Sequence, residues 1–210
     1  MATVLTAPEQ RVLLRNIDWQ TYEGLLAAHC DSSAPRFTYD RGLLEIMSPA
    51  AEHEKAKDLV VLVVNVWAEE LGLDIAGFGS TTFQRKDLER GFEPDACFYV
   101  RSVERVRAKT KLDLAVDPPP DLVIEIGITS PSIDKLRLYA AVGVPEVWRY
   151  NGKRVATLKL EGPDYIEREE SEALSGLSGA IVSRFLEEAI TLPRPEWLRQ
   201  LRKEAVMSNK

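Results

Sequence analysis

Apolar and polar positions along the chain follow two periods, about 3.6 and 2, and the switches between them mark the elements. Between residues 19 and 29, Trp19, Tyr22, Leu25 and Leu26 recur at helical spacing, and Asp18 is placed to cap the first turn. Residues 36–47 carry two short runs around the turn residues Asp40 to Gly42, which predicts a β-hairpin closed by Ser48-Pro49. The stretch 51–71 contains a β-branched run at 59–64 that, taken alone, suits a buried strand. Its flanks predict a helix instead. Glu52 and Glu54 fall in the first turn, where they complement the helix dipole, and Gly72 stands ready as a C-terminal stop. A stretch of about 20 residues is also too long for a strand. Its apolar middle predicts burial on most sides.

Past Gly72 the pattern turns to strands at 74–79 and 81–85, with a bend between Gly77 and Ser80, and then at 94–100. The run 122–128 is apolar enough for a central strand. Residues 135–142 form an amphipathic helix, with Leu136, Leu138, Tyr139 and Val142 apolar and Gly143 closing it. Strands at 145–150, 154–160 and 165–167 and helices at 180–189 and 195–206 complete the pattern. The mixture belongs to the α/β or α+β class. With no linker-like composition, one domain is expected over 1–210: an N-terminal helix and hairpin (17–48), a core (51–150) and C-terminal strands and helices (151–210).

Composition narrows the function classes. At 210 residues, with 45% apolar and 29% charged, the chain is neither disordered, collagenous nor a disulfide scaffold. Its 27 basic residues against 33 acidic ones give a formal charge of −6 and a pI near 5.2, which argues against indiscriminate coating of nucleic acid. The longest apolar run, 59–64, is far short of the ~20 residues of a membrane span. Residues 1–16 lack the apolar core of a signal peptide, and Cys30 and Cys97 read as buried thiols. These features predict a soluble cytoplasmic protein. Phosphate-loop, dinucleotide and nucleophile-elbow motifs are all missing, and two histidines are too few for a His-rich zinc site.

One residue breaks the pattern. Glu125 sits inside the apolar run Leu122-Val123-Ile124-Glu125-Ile126, where an ionised carboxylate is costly unless it is paired or bound to a metal. By strand alternation it shares a face with Asp121, Val123 and Gly127. Asp95 opens a second apolar strand. If the two strands are neighbours, their carboxylates meet, an arrangement that suits Mg²⁺ with waters and a substrate phosphate. The plainer alternative makes Asp95 a turn residue and pairs Glu125 with an arginine.

The segments Pro120-Asp121-Leu122-Val123-Ile124-Glu125-Ile126, Ser130-Pro131-Ser132 and Lys135 to Trp148 resemble the Uma-type restriction endonucleases, a bacterial group within the PD-(D/E)XK nuclease superfamily. Met47-Ser48-Pro49-Ala50-Ala51-Glu52-His53 is similar to the family's entry to its first core helix, and Pro94-Asp95 to its Pro-Asp strand. The resemblance runs from about Trp19 to Tyr150 and implies a restriction-endonuclease-like α/β core, a mixed sheet flanked by helices. It implies Mg²⁺- or Mn²⁺-dependent cleavage of DNA phosphodiesters, with Asp95, Glu125 and Glu52 as metal-binding acids. His53 accompanies Glu52 without an assigned role. The superfamily's lysine, two residues after the second acid, is Gly127 here. Lys135, on the following helix, is the candidate to replace it and to stabilise developing phosphate charge, although a solvated helix residue is the alternative reading.

Arg101, Arg105, Arg107, Lys109 and Lys111 form a basic stretch with a single acid, Glu104, and are candidate contacts to a DNA backbone or simply a solvated loop. Gln84, Arg85 and Lys86 make a weaker case of the same kind. Cys97 reads as packing. The helical apolar pattern from Ile181 to Leu201 caps the core or forms a contact between copies, and a homodimer is expected. The leading expectation is a metal-dependent DNA endonuclease. The alternative is an inactive nuclease fold kept as an interaction or regulatory module, and a two-carboxylate glycoside hydrolase stands third.

Overall fold

The computed structural model describes residues 10–29, 34–127 and 133–208. In chain order the elements are β1 (Gln10–Arg15), α1 (Trp19–Ala28), β2 (Arg36–Asp40), β3 (Leu43–Ser48), α2 (Ala51–Glu70), β4 (Ala76–Gly77), β5 (Phe83–Arg85), β6 (Arg90–Phe92) and β7 (Ala96–Tyr99). They continue as α3 (Val103–Val106), β8 (Leu122–Ile126), α4 (Lys135–Val142), β9 (Glu146–Tyr150), β10 (Val155–Glu161), β11 (Asp164–Arg168), α5 (Gly179–Thr191) and α6 (Arg194–Ser208). None of these helices is long and apolar enough to cross a membrane.

The strands form two sheets rather than one. A five-stranded antiparallel sheet runs β1-β3-β2-β6-β5, and a six-stranded mixed sheet runs β11-β10-β9-β8-β7-β4. Within the mixed sheet only β8 and β9 are parallel, as the β8–α4–β9 crossover requires. β8 is buried at four of its five positions, which explains its nearly unbroken apolar run. The two faces of this sheet take different helices. Ala96, Phe98, Leu122, Ile124 and Ile126 pack with Val63, Val64 and Trp67 of α2, and α5 and α6 form a further layer over α2. On the other face Cys97, Tyr99, Val123 and Val147 pack with Leu138 and Tyr139 of α4.

The local signals account for these elements. Asp18 accepts from Thr21 N at 2.8 Å at the start of α1, and Asp134 accepts from Leu136 N at the start of α4. Gly143 ends α4 at φ +80°, a conformation that costs glycine little. The hairpin β2–β3 belongs to the smaller sheet, where Tyr22 of α1 stacks on Tyr39 with ring centroids 4.8 Å apart. Two expected strands come out differently. The segment 74–79 keeps only Ala76–Gly77 in ladder pairing, with β7, while Phe83–Arg85 pairs with β6 in the other sheet. β1, β6 and the single turn α3 were not anticipated from the pattern. β1 is an edge strand with Val12 and Leu14 exposed, and β6 contains Gly91 and spans three residues.

Candidate active site

The register of β7 on β8 pairs Ala96 with Ile124 and Cys97 with Val123, so Asp95 arrives beside Glu125 at the end of the strand pair. The two acids are therefore cross-strand neighbours, yet their carboxylates engage different partners. Asp95 precedes the ladder and turns toward the N-terminal turn of α2. Glu125 turns toward α4.

Asp95 is 1% exposed and fully engaged. Its Oδ2 accepts from the Ile126 amide at 2.6 Å and lies 3.2 Å from His53 Nε2, and its Oδ1 is ion-paired with Arg36 Nη1. Arg36, itself buried at the start of β2, also donates through Nη2 to Glu54 Oε1 at 2.7 Å. His53 stands between Asp95 and Glu54, with Nδ1 3.5 Å from Glu54 Oε1. Burial pushes the Glu54 carboxyl up, but the Lys57 hydrogen bond and the charges of Arg36 and Lys57 outweigh it and hold Glu54 below the ordinary carboxylate range. The helix entry thus contributes His53 and Glu54 to the cluster. Glu52 does not join it. One residue before the buried His53, it is rotated by about 100° around the helix and exposed to solvent beside Lys55 and Tyr150.

Glu125 lines a shallow cleft with Lys135, Tyr139, Gly127, Arg149 and Arg11. Lys135 Nζ lies 3.1 and 3.0 Å from the two Glu125 oxygens and 3.3 Å from the Glu93 carbonyl, so the long stem does reach back from α4. The Tyr139 hydroxyl, one helical turn further on, donates to Glu125 Oε1. Burial, reinforced by the Glu125 charge, pushes the Tyr139 phenol far above its usual range and keeps it a neutral donor. Arg11 of β1 bonds Glu45 Oε1 at 2.7 Å, a second buried acid of the hairpin that sequence reasoning passed over. Glu93, buried just upstream, accepts from Thr82 Oγ1 at 2.7 Å and from Phe37 N at 3.1 Å; burial raises its carboxyl despite both bonds.

Tyr139, read from the sequence only as an apolar position of the helix, could have been found from its place four residues after Lys135 on one helix face. Arg36 and Arg149 carry no local signal, because only strand pairing brings them in. The Ser130-Pro131-Ser132 segment and Cys30 lie outside the described residues. Cys97 is fully buried and burial pushes its thiol up to about 12, in keeping with packing.

The basic stretch lies at the other end of the strand pair. Asp95 immediately precedes β7 and Arg101 follows its end, up to about 20 Å away at ~3.3 Å per residue. Val103 and Val106 of α3 turn into the core. Arg107 pairs with Asp74 and Glu104, Lys109 with Asp117, and Arg101 approaches Asp121 at 3.8 Å. Asp121 is a structural acid that accepts from Val100 N, Ser102 N and Ser102 Oγ. These cations neutralise local acids and do not line the Glu125 cleft. Arg85 is likewise engaged by Asp87. A larger cleft of about 580 Å³ between α2 and the α5–α6 layer, with Leu59, Leu192 and Trp197 in its wall, lies apart from these acids.

A divalent ion does not fit the donors as they stand. Among the described residues, no three acidic, histidine or cysteine side chains converge as a ligand set. Asp95 already carries Arg36 and His53, Glu125 carries Lys135 and Tyr139, and Glu52 points away. The negative charge a metal would neutralise is thus offset by side-chain cations.

No curated protein matches this chain. A crystal structure described as "a putative nuclease belonging to DUF820" from Anabaena variabilis ATCC 29413 is similar at TM-score 0.50 and 15% identity, covering 91% of this chain and 98% of that one. That likeness establishes the fold. The family model described as "Uma2: Putative restriction endonuclease" matches residues 19–194, from the first turn of α1 to the first residue of α6. The match takes in Asp95, Glu125 and Lys135, and the chain belongs to the Uma2 family.

Proposed function

We propose that this protein is a nuclease that hydrolyses phosphodiester bonds in DNA at the Glu125 cleft. The observation that carries this reading is the Glu125–Lys135–Tyr139 group. It is a carboxylate and an ammonium placed at the edge of an apolar core, with their side chains 14% and 9% exposed toward the cleft. Burying a charge pair at such a point is a poor way to gain stability, and placing it at a cleft leaves it accessible to a ligand. In this reading Lys135 binds a phosphate oxygen and stabilises charge as it develops there. Glu125 orients the attacking water and receives its proton as the new P–O bond forms; the bond to the leaving oxygen breaks, that oxygen takes a proton from solvent, and Tyr139 fixes the carboxylate through its hydroxyl. Dependence on Mg²⁺ or Mn²⁺ belongs to the same proposal as an expectation from the family.

The test is cleavage of supercoiled and linear DNA with Mg²⁺, with Mn²⁺ and with chelator, comparing wild type with Glu125→Gln. The expected loss is roughly 10²-fold or more for a group that handles a proton in the reaction. Wild-type protein that cuts no better than the variant would leave the second reading, a nuclease fold kept as an interaction module. One observation favours that reading: Asp95, an acid expected to hold a metal, is ion-paired with Arg36 instead. A homodimer is also proposed, supported by the exposed apolar residues Ile190 of α5 and Val206 and Met207 of α6. Light scattering decides it.

A further inference from the structure

We propose that Arg149 is an anion-binding residue of the Glu125 cleft and takes a backbone phosphate of the nucleic acid. This inference rests on the nuclease reading for the identity of its ligand. Its geometry is independent of that reading. Arg149 lies on β9 in register with Glu125 on the parallel neighbour β8. The pairing continues one step beyond the strand, where Gly127 N donates to Tyr150 O at 2.7 Å. This holds Gly127 against β9. A Cβ added at Gly127 would stand 3.4 Å from Arg149 Nε and 3.9 Å from Nη2. These are ordinary van der Waals distances, and they place the guanidinium beside the Gly127 backbone at the mouth of the cleft.

The charge balance identifies which cation is available. The cleft is lined by three: Arg11, Lys135 and Arg149. Arg11 is paired with Glu45 and Lys135 with Glu125. Asp134, also at the rim, caps α4 and approaches Arg137 at 3.4 Å. Among the described residues no carboxylate forms an ion pair with Arg149, although it is half-buried. A partly desolvated guanidinium without a counter-ion attracts one. Its planar fork matches two phosphate oxygens at once, which a lysine ammonium does not.

The experiment measures binding of a short fluorescein-labelled duplex by anisotropy across a range of KCl, in EDTA and again with Ca²⁺, for wild type, Arg149→Lys and Arg149→Ala. Melting curves verify that each variant is folded. The expected result is affinity about tenfold weaker for Arg149→Ala, with a salt slope shallower by about one. Arg149→Lys should keep the slope but not the full affinity, because charge survives and the fork does not. Equal affinity and equal slope in all three proteins overturn the inference. If the wild type cuts DNA and Arg149→Ala binds normally, the nuclease reading stands and the Arg149 assignment falls. If Arg149→Ala loses one contact in a protein that does not cut, the assignment stands and the nuclease reading falls. A wild type that binds neither duplex nor inorganic phosphate overturns both.

Discussion

Replacing Asp95 by Asn removes one negative charge and almost no volume, so its effect isolates the buried ion pair. Arg36 is 4% exposed and Asp95 1%, which means the guanidinium loses a partner it cannot replace with water. The Asn amide also presents an NH₂ to a neighbourhood of donors: Arg36, His53 and the Ile126 amide. Removing one member of a buried pair costs about 3–5 kcal/mol. Glu54 still accepts from Arg36 Nη2 at 2.7 Å, which places the expected loss at the lower end, about 3 kcal/mol. For a chain of this size that lowers Tm by roughly 6–12 °C. Differential scanning calorimetry of Asp95→Asn, Arg36→Met and the double variant measures it. The double variant should be more stable than the two single losses predict, with a coupling of about 1 kcal/mol or more. A change in Tm below about 2 °C for Asp95→Asn, or strict additivity in the double variant, refutes the claim that this pair is buried and mutually dependent. The outcome also governs how cleavage data are read, because lost activity in Asp95→Asn then reflects folding as well as chemistry. Glu125→Gln, at a cleft residue, is the cleaner probe.

Two other perturbations test the scaffold around the site. Gly91 is needed because a Cβ there would stand 2.0 Å from the Tyr22 hydroxyl and 2.5 Å from its ring; Gly91→Ala should cost about 1–3 kcal/mol by calorimetry, partly recovered with Tyr22→Phe. Glu93 sets a pH dependence: its carboxyl is raised by burial, so the folded state holds the proton more tightly than the unfolded one. Its contribution to stability is greatest below the ordinary glutamate pKa and declines as pH rises through the raised value. Wild type should therefore lose stability relative to Glu93→Gln between acid and neutral pH in urea unfolding, and parallel curves would contradict the assignment.

The parts of the fold that were legible in the sequence are those whose signals are local. The helix α2 was readable through its acidic first turn, its length and Gly72, even though its middle is β-branched. The bounds of α4 follow from Asp134 and Gly143. Segments defined by their neighbours were not readable. β6 is three residues that become a strand because β2 and β5 flank them, and α3 forms where Val103 and Val106 find a core. The same division holds at the site. Glu125 announced itself as an acid within an apolar run, and Lys135 followed as the cation at the start of the next helix. Arg36 precedes Asp95 by a hairpin, a long helix and three short strands, so nothing in either segment foretold that the two would pair. Glu52 shows the opposite case. Acid identity drew attention to it, but helical rotation decides which of Glu52, His53 and Glu54 faces inward.

The net charge of −6 takes on a different meaning once the cleft is known. Acidic residues spread over the surface oppose the approach of a polyanion, but at physiological salt charges farther apart than about 8 Å are largely screened. What a bound phosphate feels is the local set, and there Lys135 and Arg11 are already matched by Glu125 and Glu45. The basic stretch after β7 is consumed mostly by its own acids. Under the nuclease reading, few phosphates are therefore neutralised, and DNA binding is short-ranged, weak at distance and only mildly salt-dependent compared with a basic coat protein. Such a site gains from a substrate held in one geometry rather than from charge in bulk. That is why Arg149, the one cleft cation among the described residues without an ion-paired carboxylate, weighs more than the five basic residues whose clustering in sequence first suggested a DNA-binding face.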